Sequence, residues 1–275
     1  MIDSHHHLWN YTEEEFSWIE AEHVRRSFLA PELDTLLEEN QVDGAVAVQA
    51  RCCLEENDFL LQQADQSSKI KGVVGWADLK AADVSEQLAA YAGDPRFVGV
   101  REITQGAADE EYLSNPDFDR GVRALGEKGL VYDVLIFQNQ LDVATAFIDR
   151  HPEQQFVLDH GAKPEIRAAS FPDAWEAGIR DLAKREHLVC KISGLVTEVR
   201  DASWDETLMR RYLEVLLESF GPQRLMFGSD WPVSLMASSY KKWKDCVTEF
   251  SSSLSIDEQE AIHTETATKI YRLTQ

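Results

Sequence analysis

The chain has 275 residues, of which 44% are hydrophobic and 28% are charged, and its 49 acidic and 27 basic residues give a formal net charge of −22. This length and composition are ordinary for a globular enzyme with one large core, so we expect a single domain over residues 1–275. The strong negative charge argues against binding to nucleic acid or to an anionic membrane, because neutralising phosphates requires clusters of Lys and Arg.

Cysteine usage and hydropathy bear on the compartment. The only neighbouring cysteines are Cys52 and Cys53 and no CxxC pair occurs, so neither a comfortable disulfide nor a cysteine zinc site is expected. We see no signal-peptide pattern and no apolar stretch near the ~20 residues that span a bilayer. We therefore expect a cytoplasmic protein; the sequence leaves a homo-oligomer open.

Short apolar runs alternate along the chain with longer amphipathic segments. Buried strands are predicted at residues 2–6, 44–49, 72–77, 98–101, 130–136, 155–159, 188–193 and 225–228. Helices are predicted at residues 30–39, 56–66, 84–91, 117–128, 142–150 and 175–185, with a closing helix pair at 256–273. Unbroken apolar strands that alternate with helices are typical of a buried parallel sheet. Eight of them predict an α/β fold, a single (β/α)8 TIM-like barrel, with a doubly wound open sheet as the alternative.

Three consecutive histidines end the first predicted strand. Alternation along the strand sends His5 and His7 to one side and His6 to the other, into the barrel wall. Two imidazoles that project together can hold a divalent metal or a reactive water. A trace of an affinity tag or an incidental surface cluster would also explain the run, but a tag is usually longer and lies in a linker.

Polar residues recur at the carboxyl ends of the predicted strands, where barrel enzymes carry their active sites. Besides the histidines of the first strand they are Gln49, Arg101, Glu102, Tyr132, Asp133, Asp159, His160, Lys163, Lys191, Ser193 and Asp230. Structural alternatives exist for each: Asp159 could cap a turn, and Lys191 could lie with its stem in the wall and its amine outside. Their coincidence at one end favours an active site.

Several segments resemble the amidohydrolase superfamily, in its amidohydrolase-related branch. They are IDSHHHLW, VAVQAR, GVVGWADL, FVGVRE, FVLDHGAKP, CKISGLVTE, LMFGSDWPV and TKIYRL. These segments are spread from the first residues to the last, so the resemblance extends over the whole chain. The resemblance implies a hydrolase that opens the lactone ring of a sugar-derived aldonolactone of the L-fucono, L-rhamnono or L-galactono type. A metal-dependent decarboxylase or an amide hydrolase is the enzymatic alternative, and a scaffold barrel with a decayed site is the non-enzymatic one.

The resemblance also implies roles for particular residues. His5, His7, His160 and Asp230 would hold a metal or position the reactive water. Asp230 would be the general base, while His160 with Lys163 would polarise the carbonyl or orient the base. We give equal weight to a site with one Zn²⁺ and a site without metal. Three or four nitrogen and oxygen ligands are available for an ion, but they can also hold the water directly.

Substrate recognition is assigned to side chains near the same strand ends. The candidates are Trp9, Gln49, Arg101, Glu102, Tyr132 and Trp231. Aromatic faces pack on the C–H surfaces of sugars, while Arg and Gln bind hydroxyls or a carboxylate through hydrogen bonds. Relatives often have His where this chain has Glu102, so that residue could change the preference for substrate or metal.

Overall fold

Eight parallel strands form one sheet in chain order in the computed structural model, which describes residues 1–200 and 203–274. They are β1 (Ile2–His6), β2 (Gly44–Val48), β3 (Ile70–Gly75), β4 (Phe97–Ile103), β5 (Val131–Leu135), β6 (Phe156–Leu158), β7 (Leu188–Ile192) and β8 (Leu225–Phe227). The ring closes next to the strand ends, where the His7 N–H donates to the Trp231 carbonyl at 2.7 Å and the Asp230 N–H to the His5 carbonyl at 2.8 Å. The predicted (β/α)8 barrel is confirmed, and the open-sheet alternative is wrong.

Helices that precede β8 connect the strands on the outside of the barrel, and further helices follow this last strand. They are α1 (Ala30–Glu39), α2 (Glu55–Gln66), α3 (Val84–Tyr91), α4 (Pro116–Glu127), α5 (Leu141–Asp149), α6 (Asp173–Leu182), α7 (Glu206–Phe220), α8 (Tyr240–Ser251), α9 (Ile256–Glu260) and α10 (Thr266–Ile270). A π-helix at Ala261–Glu265 joins the last two, where the sequence predicts a helix pair. Among the described helices, none is long and apolar enough to cross a membrane.

The interior of the barrel is apolar toward the amino ends of the strands. Its side chains are Ile2, Val46, Val48, Val74, Val98, Val131, Val157, Val189 and Met226, with Tyr271 and Leu273 from the C-terminal segment packed against them. A second, larger apolar layer lies between the strands and the helices. Tyr271 of the C-terminal segment also donates a hydrogen bond to the buried carboxylate of Asp133, at 2.8 Å.

Helix α4 approaches the loop after β3 so closely that a side chain at Gly121 has no room. A Cβ there would lie 2.1 Å from the carbonyl oxygen of Leu79. We expect Gly121→Ala to lower the free energy of unfolding by about 1–3 kcal/mol, because overpacking forces the backbone apart. Gly93→Ala is the control, since nothing lies within 4 Å of its added carbon. Urea unfolding curves that coincide for the two variants would contradict this packing.

Candidate active site

The residues predicted to activate water meet at the carboxyl end of the barrel, and all are buried. Nε2 of His5 lies 3.2 Å from Nε2 of His7. Oδ1 of Asp230 lies 3.4 Å from Nε2 of His7 and 3.8 Å from Nε2 of His5. Ligand atoms of His5, His160 and Asp230 all lie within 4.8 Å of one another. The structure therefore brings together the side chains that the resemblance grouped, from β1 and from the loops after β6 and β8.

The backbone is strained where it presents two of these side chains. Residues 160–163 all have φ between 45° and 60°, and Asp230 has φ 57°. This left-handed conformation costs roughly 1 kcal/mol or more for each residue that carries a side chain. A glycine makes room for the turn, because a Cβ at Gly194 would lie 2.4 Å from Nδ1 of His160. Such strain is frequently concentrated at functional sites.

Two imidazoles are fixed in orientation by groups outside the site. Nδ1 of His7 lies 2.8 Å from the carbonyl oxygen of Val48. Because a carbonyl only accepts, Nδ1 of His7 carries a proton, and Nε2 is the nitrogen on the side of Asp230. Nδ1 of His160 lies 2.8 Å from the hydroxyl of Ser193 at the end of β7. Hydrogen bonds of this kind set the tautomer and ring angle of functional histidines.

His6 is the third member of the run and is fully buried. Among the described residues, none forms a hydrogen bond with its ring nitrogens, and burial lowers its pKa to about 3. The ring therefore stays neutral at physiological pH, as expected of a side chain outside the reacting group.

A network of buried charges lies beneath the site. The amine of Lys191 is fully buried, 2.5 Å from Asp133 and 3.0 Å from Asp159. Asp159 also lies 3.0 Å from Nη1 of Arg101 and 3.3 Å from Nδ1 of His5. Both structural alternatives are thus wrong: Lys191 points into the barrel, and Asp159 pairs with cations instead of only capping a turn.

Burial controls the protonation of the site. It lowers the pKa of His160 to about 4 and that of His5 well below its usual value, although the nearby carboxylates oppose this. Burial raises the pKa of Asp230, but His160, His7 and Lys163 lower it by more, so the net shift is downward. At neutral pH the site therefore presents uncharged His5 and His160 beside the ionised carboxylate of Asp230.

A cavity of about 370 Å³ opens at these residues. Its polar lining consists of His7, Arg101, Gln105, His160, Lys163 and Asp230. Its apolar lining consists of Trp9, Trp18, Ala50, Ile103, Leu135 and Val233. A larger cavity, of about 790 Å³, lies against α9, α10 and the C-terminal residues and is lined by none of the predicted site residues. The smaller one is the candidate site, because the perturbed acids and bases face it.

Trp9 and Lys163 both line this cavity, the first as a predicted substrate contact and the second as a predicted catalytic group. Trp9 is almost completely buried and has Trp18 edge-on at 6.1 Å between ring centres. The amine of Lys163 lies 3.9 Å from Glu198. Burial lowers the pKa of Lys163 more than Glu198 raises it.

Arg101 and Gln49 are bonded to each other. Nη2 of Arg101 donates to the backbone oxygen of Gln49 at 2.6 Å and to its Oε1 at 2.7 Å, and Nη1 donates to Asp159 at 3.0 Å. Nη1 also lies 3.3 Å from Nε2 of His5. Arg101 therefore supplies a fixed positive charge at the cavity wall, and Gln49 positions it instead of contacting substrate as predicted.

Tyr132 lies outside the barrel interior. It is fully buried, with its ring edge-on to Phe118 at 5.8 Å and to Phe156 at 6.1 Å. Since Asp133 points into the barrel, strand alternation sends Tyr132 toward the helices. Its predicted contact with substrate is wrong.

Trp231 and Glu102 are also directed away from the cavity. Trp231 is 2% exposed and packs edge-on against Phe28 at 5.1 Å. Glu102 accepts hydrogen bonds from Nε1 of Trp76 at 2.9 Å and from Sγ of Cys52 at 3.3 Å. Neither lines the cavity, so both predicted contacts are corrected: Trp231 packs behind the site, and Glu102 joins β4 to the loops after β2 and β3.

The fold and the site together define a barrel hydrolase. The amidohydrolase family model, Amidohydro_2, matches residues 2–273, and the chain belongs to this family, as the resemblance predicted.

Similar proteins are known by function and by structure. An L-fucono-1,5-lactonase of Burkholderia multivorans is 39% identical over 99% of this chain and 96% of its own length. An L-fucono-1,5-lactonase of Burkholderia ambifaria is 34% identical over 87% of this chain and 82% of its own. A crystal structure of a Burkholderia multivorans amidohydrolase with bound zinc is 39% identical, covers 99% of both chains and superposes with a TM-score of 0.94.

Proposed function

We propose that this protein hydrolyses the ring ester of a sugar-derived aldonolactone of the L-fucono, L-rhamnono or L-galactono type, in sugar catabolism. One observation carries the proposal: an ionised, buried Asp230 lies beside the neutral imidazole of His160 in a cavity that both polar and apolar side chains line. The two L-fucono-1,5-lactonases among its relatives support it. The decarboxylase and amide-hydrolase alternatives are not favoured by either relative.

Asp230 is the proposed general base. Its ionised Oδ1 can accept a hydrogen from a water molecule, and Nε2 of His7, 3.4 Å from Oδ1, lies beside the same position. As the water oxygen attacks the lactone carbonyl, Asp230 takes the proton that the water loses. The tetrahedral intermediate then collapses, the ring C–O bond breaks, and the proton passes from Asp230 to the leaving alkoxide. Atoms and charge balance, and Asp230 is regenerated.

Lys163 and His160 are the proposed electrophilic groups. Both line the cavity with Asp230, and their polar hydrogens can stabilise the negative charge that develops on the carbonyl oxygen. Arg101 adds a fixed positive charge to the same wall. The side chain of Lys163 is only 16% exposed, so little water screens its ammonium.

The donor set also fits a divalent metal. In a tetrahedral zinc site the ligand atoms lie about 3.3 Å apart, and the separations among His5, His7 and Asp230 are 3.2, 3.4 and 3.8 Å. Bound zinc would lower the pKa of a water and polarise a carbonyl. The cation of Arg101, 3.3 Å from Nε2 of His5, acts against such an ion. We therefore propose that metal, if bound, is held weakly by these residues.

A pH-indicator screen over aldonolactones tests the proposal, with each rate measured as purified, after chelation and with added Zn²⁺. We expect the enzyme to hydrolyse at least one aldonolactone and to keep this activity after chelation. Mass spectrometry determines the metal content of each sample. Absence of turnover for every lactone in all three conditions would overturn the function. Complete loss of activity on chelation, with recovery of activity on addition of zinc, would overturn a mechanism that works without metal.

The cytoplasmic location and a homo-oligomeric state stay predictions.

A further inference from the structure

Gln105, in the loop after β4, lines the cavity but takes no part in the proposed chemistry. Its Oε1 is buried, and within residues 1–200 and 203–274 no group hydrogen-bonds to it. A buried amide without a partner is costly, and such groups in native proteins call for an explanation. Gln105 lines a ligand cavity, so a ligand hydroxyl that reaches its amide can supply the missing bond.

The loop that carries Gln105 is held rigidly by another side chain. The amide nitrogen of Gln140 donates to the backbone oxygen of Thr104 at 3.0 Å and to that of Ala107 at 3.3 Å. Its Oε1 accepts from the N–H of Gly106 at 3.0 Å. Bonds on both sides of Gln105 therefore fix its backbone before a ligand arrives.

The neighbours of Gln105 on the cavity wall are apolar. Ile103 and Leu135 stand opposite each other in the pairing of β4 with β5, and both line the cavity. Arg101, two residues further back, has its nitrogens committed to Gln49 and Asp159. Gln105 is thus the polar group on this side that keeps its hydrogen-bonding capacity for a ligand.

We propose that Gln105 is a specificity-determining residue whose amide binds one ring hydroxyl of the lactone. The proposal rests on the proposed function and deepens it: the site selects polyhydroxylated lactones carrying a hydroxyl at the ring position that meets Gln105. A site built to bond a hydroxyl discriminates strongly against an analogue that lacks it, because its own polar group is then left unpaired.

A substrate–enzyme double-mutant cycle tests this proposal. Wild type, Gln105→Leu and the control Gln138→Leu are assayed with an aldonolactone and its single-deoxy analogues. Gln138 lies outside this cavity and accepts from the N–H of Glu165 at 3.1 Å. For the wild type and the control, kcat/KM should be about 10- to 100-fold lower with one deoxy analogue than with the parent lactone. For Gln105→Leu, kcat/KM with the parent lactone should be lower than that of the wild type by the same factor. Removing that hydroxyl from the substrate should then lower the variant's kcat/KM little further. Thermal melting confirms that each variant is folded.

The outcomes separate the two proposals. If the wild type hydrolyses the lactone and Gln105→Leu has the same kcat/KM for the parent lactone, the role of Gln105 is overturned. The same follows if the folded Gln105→Leu variant loses equally in kcat/KM with every analogue. Either result leaves the lactonase function standing. Absence of lactone turnover by the wild type overturns both.

Discussion

Asp230→Asn is expected to lower kcat for aldonolactone hydrolysis by about 10²–10⁴-fold, the usual contribution of a positioned general base. The amide has nearly the same shape but cannot accept a proton from water. The variant therefore removes the proposed base with little change in the volume of the side chain. Initial rates by pH indicator at saturating lactone measure the effect.

Asp43→Asn is the matched control. Asp43 binds the chain's amino terminus at 2.6 Å, and its side chain is 80% exposed. The control should keep wild-type kcat within about twofold, since surface ion pairs contribute little. An Asp230→Asn protein as active as this control would show that another group activates the water.

Lys191→Met is expected to lower the free energy of unfolding by about 3–5 kcal/mol, the cost of breaking a buried ion pair from one side. Asp133 and Asp159 would both lose their ammonium partner in the barrel interior, where no side-chain surface of either is exposed. The hydroxyl of Tyr271 would still donate to Asp133 at 2.8 Å but brings no charge. Denaturant unfolding monitored by tryptophan fluorescence gives the free energy.

Lys241→Met provides the comparison for this change. Lys241 pairs with Asp245 on the surface of α8 and is 72% exposed, so its replacement should change stability by no more than about 0.5 kcal/mol. If the two methionine variants unfold at the same denaturant concentration, the buried network does not contribute as described.

Part of the site is predictable from the order of the strands, because polar residues that follow parallel strands must meet at one end of a barrel. The choice of His5, His7, His160 and Asp230 from among those polar residues comes from the resemblance to the amidohydrolase superfamily. Their exact approach depends on the left-handed turns at residues 160–163 and at Asp230, which a single sequence does not reveal.

Tyr132 and Lys191 show that a position near a strand end does not decide whether the side chain points into the barrel or toward the helices. Val131 and Val189 face the barrel interior, and each is two residues before a buried charge, Asp133 or Lys191. That two-residue spacing in the sequence places both charges inside and Tyr132 outside. The signal is therefore present in the sequence, but it lies in the alternation of side chains and not in their distance from the strand end.

The role of Gln105 could not be predicted from the sequence. Its loop is shaped by Gln140, which lies 35 residues further along the chain and bonds to Gly106, next to Gln105. No local pattern links these positions, so only the folded chain shows that Gln105 lines the cavity. The assignments of Trp231 and Glu102 as substrate contacts failed for the same reason, since tertiary packing decides the direction of a side chain at a strand end.

A single-turnover reaction in ¹⁸O-labelled water, with enzyme in excess over lactone, tests the water-attack mechanism most directly. If Asp230 acts as a base, the first turnover places one ¹⁸O in the carboxylate of the product, and the peptide containing Asp230 stays unlabelled. If ¹⁸O appears instead in the Asp230 carboxylate while the product of the first turnover is unlabelled, Asp230 has attacked the lactone itself and the mechanism is contradicted.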